Sequence, residues 1–122
     1  MDFEPLQNLK SFQEADVAVD RMLIAVGSVN SAVWGPRMMY VLRQTLTAVA
    51  YANVGKTPAR SCGREKALFL LSDQSSKREV IEFIESEIPF GRRTRILQYF
   101  IDLHSSKPGQ FAETVRPAMA CL

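Results

Sequence analysis

The chain has 122 residues and a mass of 13.7 kDa, which is enough for one compact domain and too little for two ordinary ones. Apolar residues make up 47% and charged residues 23% of the chain, which is typical of a globular protein and excludes wholesale disorder. The net charge of +2 excludes a histone-like polycation.

The first residues, the longest uncharged run and the cysteines together predict the compartment of the protein. Asp2 and Glu4 stand where a secretory signal would carry basic residues, so no leader is expected. The longest run without a charge, residues 22–36, is interrupted by polar residues, whereas a membrane span needs about 20 predominantly apolar ones. Cys62 and Cys121 are too few for a disulfide framework. We therefore expect an intracellular protein without a membrane segment.

Apolar residues recur at helical spacing almost throughout the chain, and no strand or hairpin pattern is present. This periodicity predicts an all-α protein, a single compact bundle of five or six short helices over residues 1–122. Residues 1–12 are expected to form a short N-terminal arm with one or two frayed helical turns. The helices are predicted over residues 13–29, 36–53, 64–71, 77–88, 92–105 and 110–119.

Several residues mark where these helices begin and end. Pro36 suits a first helical turn, and Gly55 predicts the end of the second helix. Ser76 is predicted to cap the fourth helix because Glu79 follows three residues later, as in a capping box. Trp34, beside a Gly-Pro turn, is interpreted as a cap on the core.

The near-neutral total charge conceals alternating blocks. Residues 1–20 carry a net charge of −4, and residues 21–72 carry +6. Residues 73–88 carry −3, and residues 89–122 carry +3. Such alternation implies charged faces rather than a uniform surface, and it favours a charged partner.

Two basic clusters are candidate sites for an anionic partner. The second cluster lies at the predicted start of the fifth helix, where the helix dipole disfavours cations by about 0.3–1 kcal/mol each. Arginines kept in that position, next to free backbone N–H groups, indicate nucleic-acid phosphate or an acidic protein surface as the partner. The first cluster comprises Lys56, Arg60, Arg64 and Lys66, and the second comprises Arg92, Arg93 and Arg95.

Tyr99 extends the second cluster along one helical face. Arg92, Arg95 and Tyr99 are spaced at i, i+3 and i+7, so this face is suited to track a phosphate backbone and stack a base. The alternative is that the arginines pair with acidic residues of the same chain, since Glu85 and Glu87 lie just before them.

A second candidate surface, for contact with a protein, involves the first two helices. Asp16 and Asp20 share one face of the first helix. The second helix carries a tyrosine stripe bordered by arginines, a combination enriched at interfaces. The alternative is that the second helix lies centrally and buries both faces, with the tyrosine hydroxyls reaching the surface. The stripe contains Tyr40 and Tyr51, and its borders are Arg37 and Arg43.

The sequence contains no recognisable catalytic or metal-binding pattern. His104 is the only histidine, so no second one is available to share a metal ion. Residues 54–57 match the end of a phosphate-binding loop, but the required earlier glycine is missing. Cys62 lies near Arg60 and Arg64, where a lowered thiol pKa is expected, yet no base accompanies it. We expect no enzyme activity, no metal ion and no cofactor.

Two functional hypotheses follow. The first is a helical protein that binds nucleic-acid backbone, RNA rather than DNA, through residues 56–66 and 92–95, within an oligomer or a larger assembly. The second is a charge-driven helical module for protein–protein interaction that needs no nucleic acid. We prefer the first because arginines placed against a helix dipole favour phosphate. A homo-oligomer is expected in either case.

Overall fold

The computed structural model describes residues 1–29 and 35–122, and 77% of these residues are helical. The described residues form six α-helices and no strand, which confirms the predicted all-α class. The interpretation of Trp34 as a core cap lies outside these residues. The helices are α1 (Phe12–Val29), α2 (Pro36–Asn53), α3 (Arg64–Leu71), α4 (Lys77–Glu87), α5 (Phe90–His104) and α6 (Pro108–Cys121).

The predicted stop and start signals act as expected. The Glu79 backbone N–H donates to Ser76 Oγ at 3.1 Å, so Ser76 caps α4. Gly55 has a φ of +80°, which glycine adopts at little cost, and its N–H donates to the Leu9 carbonyl at 2.8 Å. That bond turns the chain away from the end of α2 and ties it to the N-terminal arm.

The helix bounds differ most from the prediction at α5 and α6. The Pro89 carbonyl accepts a hydrogen bond from the Arg92 N–H at 2.9 Å, so α5 begins at Phe90, two residues earlier than predicted. Pro108 begins α6, and Pro117 lies inside that helix without ending it.

Helix α2 is the centre of the bundle and contacts α1, α3, α4, α5 and α6. More than half of its residues are buried, including the polar side chains of Thr45 and Asn53. This central position agrees with the alternative interpretation of α2 as a helix that buries both faces. One hydrophobic cluster draws buried residues from Phe3 to Leu122, so the N-terminal arm and α6 contribute to the same core.

The N-terminal arm forms a short 3-10 turn over Glu4–Leu6. Phe3, Leu6 and Leu9 are buried in the core, because their spacing at threes places them on one side of the arm. Among residues 1–29 and 35–122, no helix combines the length and apolar character needed to cross a membrane.

Candidate nucleic-acid interface

One residue of each basic cluster, Lys56 and Arg93, reaches the turn between α4 and α5. Lys56, from the loop after α2, forms an ion pair with Glu87 at the end of α4. Arg93, from α5, donates to the backbone carbonyls of Glu85 at 2.8 Å and of Ile88 at 3.4 Å. Residues far apart in sequence are thereby held beside the same four-residue stretch of chain.

A groove of about 430 Å³ lies next to this turn, between α1, α2 and α5. Arginines from two helices reach it, so cations of α2 and α5 face a shared opening. Its lining comprises Asp16, Arg43, Gln44, Thr47, Tyr51, Gly91, Arg92, Thr94, Arg95 and Ile96.

Aromatic contacts hold Arg92 in position at one side of the groove. Its guanidinium carbon lies 4.8 Å from the centre of the Phe12 ring, which is a cation–π contact. Phe12 in turn meets Tyr51 edge to face, with 5.1 Å between the ring centres. The arginine is therefore ordered by α1 and α2 as well as by its own helix.

Tyr51 joins the acidic and basic sides of the groove. Its hydroxyl donates to Asp16 Oδ1 at 2.7 Å. Burial raises the pKa of Tyr51, and its bond to the negative Asp16 raises it further, while the Arg92 guanidinium acts in the opposite direction. The neutral hydroxyl thus remains the donor that fixes Asp16.

The candidate interface residues of the first two helices contact one another within the chain. Arg43 Nη1 lies 2.7 Å from Asp20 Oδ1, and both side chains are about half exposed. Together with the Tyr51–Asp16 bond, this pair joins α1 to α2. Both carboxylates therefore engage groups on α2 while remaining exposed, and their place at an interface stays a prediction. Tyr40 remains 53% exposed, and Arg37 is exposed at the start of α2.

Three arginines of the two clusters are exposed and engage no other side chain or carbonyl in the described residues. Arg60, Arg64 and Arg95 are exposed, and within the part of the chain that the structure describes their side chains form no ion pair or hydrogen bond. Lys66 is half-buried, with its amino group 4.6 and 4.7 Å from the ring centres of Phe69 and Phe83. Among the described residues of the two clusters, pairing with an acidic side chain is therefore seen for Lys56 alone.

Tyr99 does not continue the arginine surface. Its ring lies edge to face with Tyr40 of α2 and with Phe100, at 5.2 and 5.1 Å between centres. Its hydroxyl is buried without a hydrogen-bond partner among residues 1–29 and 35–122, and burial, with Tyr40 nearby, raises the pKa of Tyr99 to about 12. The predicted base-stacking role of Tyr99 is corrected accordingly, since its ring belongs to the contact between α2 and α5.

The early start of α5 also changes the dipole argument. Phe90 is the first residue of the helix, so Arg92 and Arg93 lie in the first turn and Arg95 lies in the second. The unfavourable dipole interaction falls off within the first turn. It therefore applies to fewer arginines than the sequence predicted.

Phe90 is the surface residue that the sequence analysis missed. It is 78% exposed at the first position of α5, and the Arg93 guanidinium carbon lies 5.4 Å from its ring centre. Phe90 lies in a Pro-Phe-Gly sequence between the helices predicted over residues 77–88 and 92–105. An aromatic residue directly before an arginine cluster is the signal that could have identified it.

The structure describes the surroundings of Cys62 and of His104. Burial raises the pKa of the Cys62 thiol despite the charges of Lys56 and Lys66, so the expected lowering is wrong. His104 Nε2 lies 2.8 Å from the Leu70 carbonyl oxygen. Within residues 1–29 and 35–122, no three His, Cys, Asp or Glu side chains are grouped so as to hold a metal ion.

A scan against protein-family models, a search of curated proteins and a search of solved structures each find no match to this chain.

Proposed function

We propose that this protein binds the phosphate backbone of RNA through the surface around the α4–α5 turn, without catalysis. We name this the basic surface, and define it by the following residues: Lys56, Arg60, Arg64, Arg92, Arg93 and Arg95. The observation that carries the proposal is the exposure of Arg60, Arg64 and Arg95, whose side chains have no ion pair or hydrogen bond in the described parts of the chain.

Unpaired arginines favour phosphate for a thermodynamic reason. An arginine already paired with a carboxylate must give up that partner to bind a phosphate, whereas a solvated one only releases water and counterions. The planar guanidinium also matches two phosphate oxygens at once. Arg60, Arg64 and Arg95 are therefore assigned the direct contacts to phosphate.

The remaining basic residues support the surface in a different way. Lys56 is paired with Glu87, and Arg93 is bonded to the carbonyls at the end of α4. These contacts position the loop after α2 and the start of α5 beside each other. We assign Lys56 and Arg93 mainly to that positioning, with Arg92 held beside the groove by Phe12.

The proposal includes the setting in which the protein works. Cys62 and Cys121 are free thiols, which supports a reducing intracellular compartment. Backbone contacts alone give weak, salt-sensitive binding, so the protein is proposed to act as an oligomer or as one subunit of a larger assembly, where several such surfaces add.

The test is fluorescence anisotropy with a labelled single-stranded RNA at several salt concentrations. The double variant Arg60→Ala with Arg95→Ala is compared with Lys107→Ala with Arg116→Ala, which removes the same charge from exposed positions on or next to α6. We expect the first pair to weaken binding at least about 10-fold and to reduce the salt slope by about 2, at about 1 per phosphate contact. Binding that is insensitive to salt, or equally weakened by both pairs, contradicts the proposal.

Exposed apolar residues on α1 and α2 favour a second candidate, association with another copy of this chain. Ile24 is 72% exposed, and it lines one groove with Met39. Asp20 and Arg43 border the same groove, so this face carries both signs of charge and can match a second copy of itself. Light scattering of Ile24→Glu in the absence of RNA tests this candidate, which predicts loss of a dimer in this variant.

A further inference from the structure

Phe90 differs from every other phenylalanine of the chain. All seven lie within the described residues, and the other six are buried or half-buried. At 78% exposure, Phe90 contributes little to the core, although a phenylalanine side chain stabilises a fold mainly when it is buried. Its place in the fold therefore has no packing explanation.

Phe90 lies beside a cation. The Arg93 guanidinium carbon is 5.4 Å from its ring centre, while Arg92 and Arg95 of the same helix line the neighbouring groove. Gly91 and Pro89 are its neighbours in sequence and both are exposed, so no large side chain adjoins it along the chain. An exposed aromatic ring beside arginines is the combination by which proteins bind single strands, since bases stack on the ring while phosphates contact the cations.

Duplex and single-stranded RNA differ in whether their bases can stack on an exposed aromatic ring. In an A-form duplex the faces of the bases are stacked on one another and are inaccessible to a side chain. In a single strand the bases can turn outwards and stack on an aromatic residue. An aromatic ring at the basic surface therefore adds affinity for single strands only.

From these observations we infer that Phe90 is a base-stacking residue and that the ligand of the basic surface is single-stranded RNA. This inference rests on the proposed function, because the arginines supply the phosphate contacts. Arg93 lies beside the ring and keeps a cation next to the stacked base, and the exposed arginines of the basic surface contact the phosphates further along the strand.

The experiment measures the affinity of the full chain for three labelled ligands: an oligouridylate of about 12 nucleotides, an abasic ribose-phosphate oligomer of equal length, and a blunt RNA duplex. The variants are Phe90→Ala, Phe90→Leu and Phe90→Trp. Because Phe90 is exposed, all three should unfold at the wild-type temperature, which circular dichroism checks.

We expect Phe90→Ala and Phe90→Leu to weaken binding of the oligouridylate about 5- to 150-fold, the range that one stacked base contributes. Their affinities for the abasic oligomer and the duplex, and the salt slope, should stay at the wild-type values. Phe90→Trp should retain or strengthen binding of the oligouridylate.

Three outcomes overturn the inference. The first is a Phe90→Ala variant that binds the oligouridylate with wild-type affinity. The proposed function then still stands if the double variant of Arg60 and Arg95 loses binding. Equal weakening for the abasic oligomer means that Phe90 acts through the fold and not through a base. A change in oligomeric mass without a change in RNA affinity makes Phe90 a protein contact. If wild type binds none of the three ligands at low salt, the proposed function fails as well.

Discussion

The side-chain amide of Asn53 and the backbone of Cys62 bond to each other in both directions. The Cys62 N–H donates to Asn53 Oδ1 at 2.6 Å, and Asn53 Nδ2 donates to the Cys62 carbonyl at 2.9 Å. Asn53 Nδ2 also donates to the Leu6 carbonyl at 2.8 Å. One buried side chain therefore ties the N-terminal arm and the loop that carries Arg60 to the end of α2.

Asn53→Ala should be strongly destabilising. The change leaves three backbone groups without their partner, and each unsatisfied buried group costs about 1–3 kcal/mol, less where water reaches it. We expect a loss of about 2–4 kcal/mol in the free energy of unfolding, measured by urea denaturation. Gln44→Ala, on the same helix but half-exposed, is the control and should change stability by less than about 0.5 kcal/mol. Wild-type stability of Asn53→Ala would show that the three hydrogen bonds of this side chain do not stabilise the fold.

Two glycine-to-alanine substitutions should change the stability of the protein in opposite directions. Gly55 has a φ of +80°, so Gly55→Ala should cost about 1–2 kcal/mol through backbone strain, although no atom lies within 4 Å of the added Cβ. Gly91 lies inside α5 with equal space around its Cβ, and Gly91→Ala should stabilise the protein by about 0.4–1 kcal/mol. Thermal unfolding of both variants checks the pair. A change in stability of the same sign in both variants would contradict the assignment of backbone strain to position 55.

Tyr99→Phe should be stabilising, and more so at high pH. The substitution removes a buried hydroxyl that has no hydrogen-bond partner in the described parts of the chain, so a gain of about 1 kcal/mol is expected. Burial raises the pKa of Tyr99 from 10.0 to about 12, so in this window the unfolded chain binds fewer protons than the folded one. Wild-type stability should therefore fall as the pH rises from 10 to 12, and Tyr99→Phe should lack that part of the fall.

The measurement for Tyr99→Phe is urea unfolding of both proteins at about pH 9 and about pH 11, below and within the window where the Tyr99 proton contributes. The difference in stability between variant and wild type should grow at the higher pH. An equal difference at both values would mean that Tyr99 titrates normally.

Asp20→Asn should strengthen RNA binding under the proposed function. The substitution releases Arg43, which now pairs with Asp20 at 2.7 Å and lines the groove beside Arg92 and Arg95. We expect the affinity to rise about 2- to 5-fold and the salt slope to steepen by up to about 1. The loss of stability should stay within about 1 kcal/mol, because the pair is half exposed.

Glu113→Gln on α6 is the control for Asp20→Asn, since it removes the same charge from an exposed position outside the groove. An equal gain in RNA affinity in both variants would show that the affinity responds only to the net charge of the protein. Weaker binding by Asp20→Asn would show that Arg43 does not reach the ligand.

The helices of this protein follow from residues within a few positions of each boundary. Pro36 and Gly55 delimit α2 and its loop, and Ser76 with Glu79 starts α4, because proline geometry, positive φ and capping are local effects. The helical spacing of apolar residues likewise predicted the all-α class and the approximate range of each helix. These features were predictable from the sequence.

The exposure of individual side chains depended on the tertiary structure. Phe90 and Tyr99 lie on the same helix, yet one is 78% exposed and the other is packed against Tyr40 with its hydroxyl buried. The difference arises because α2 covers the middle of α5 and leaves its first residue uncovered, which the sequence of α5 alone does not state. The sequence by itself determined the helices and their apolar stripes. Only the packing of α1 and α2 against α5 decided which aromatic ring and which arginines meet the solvent, because those neighbours come from distant parts of the chain.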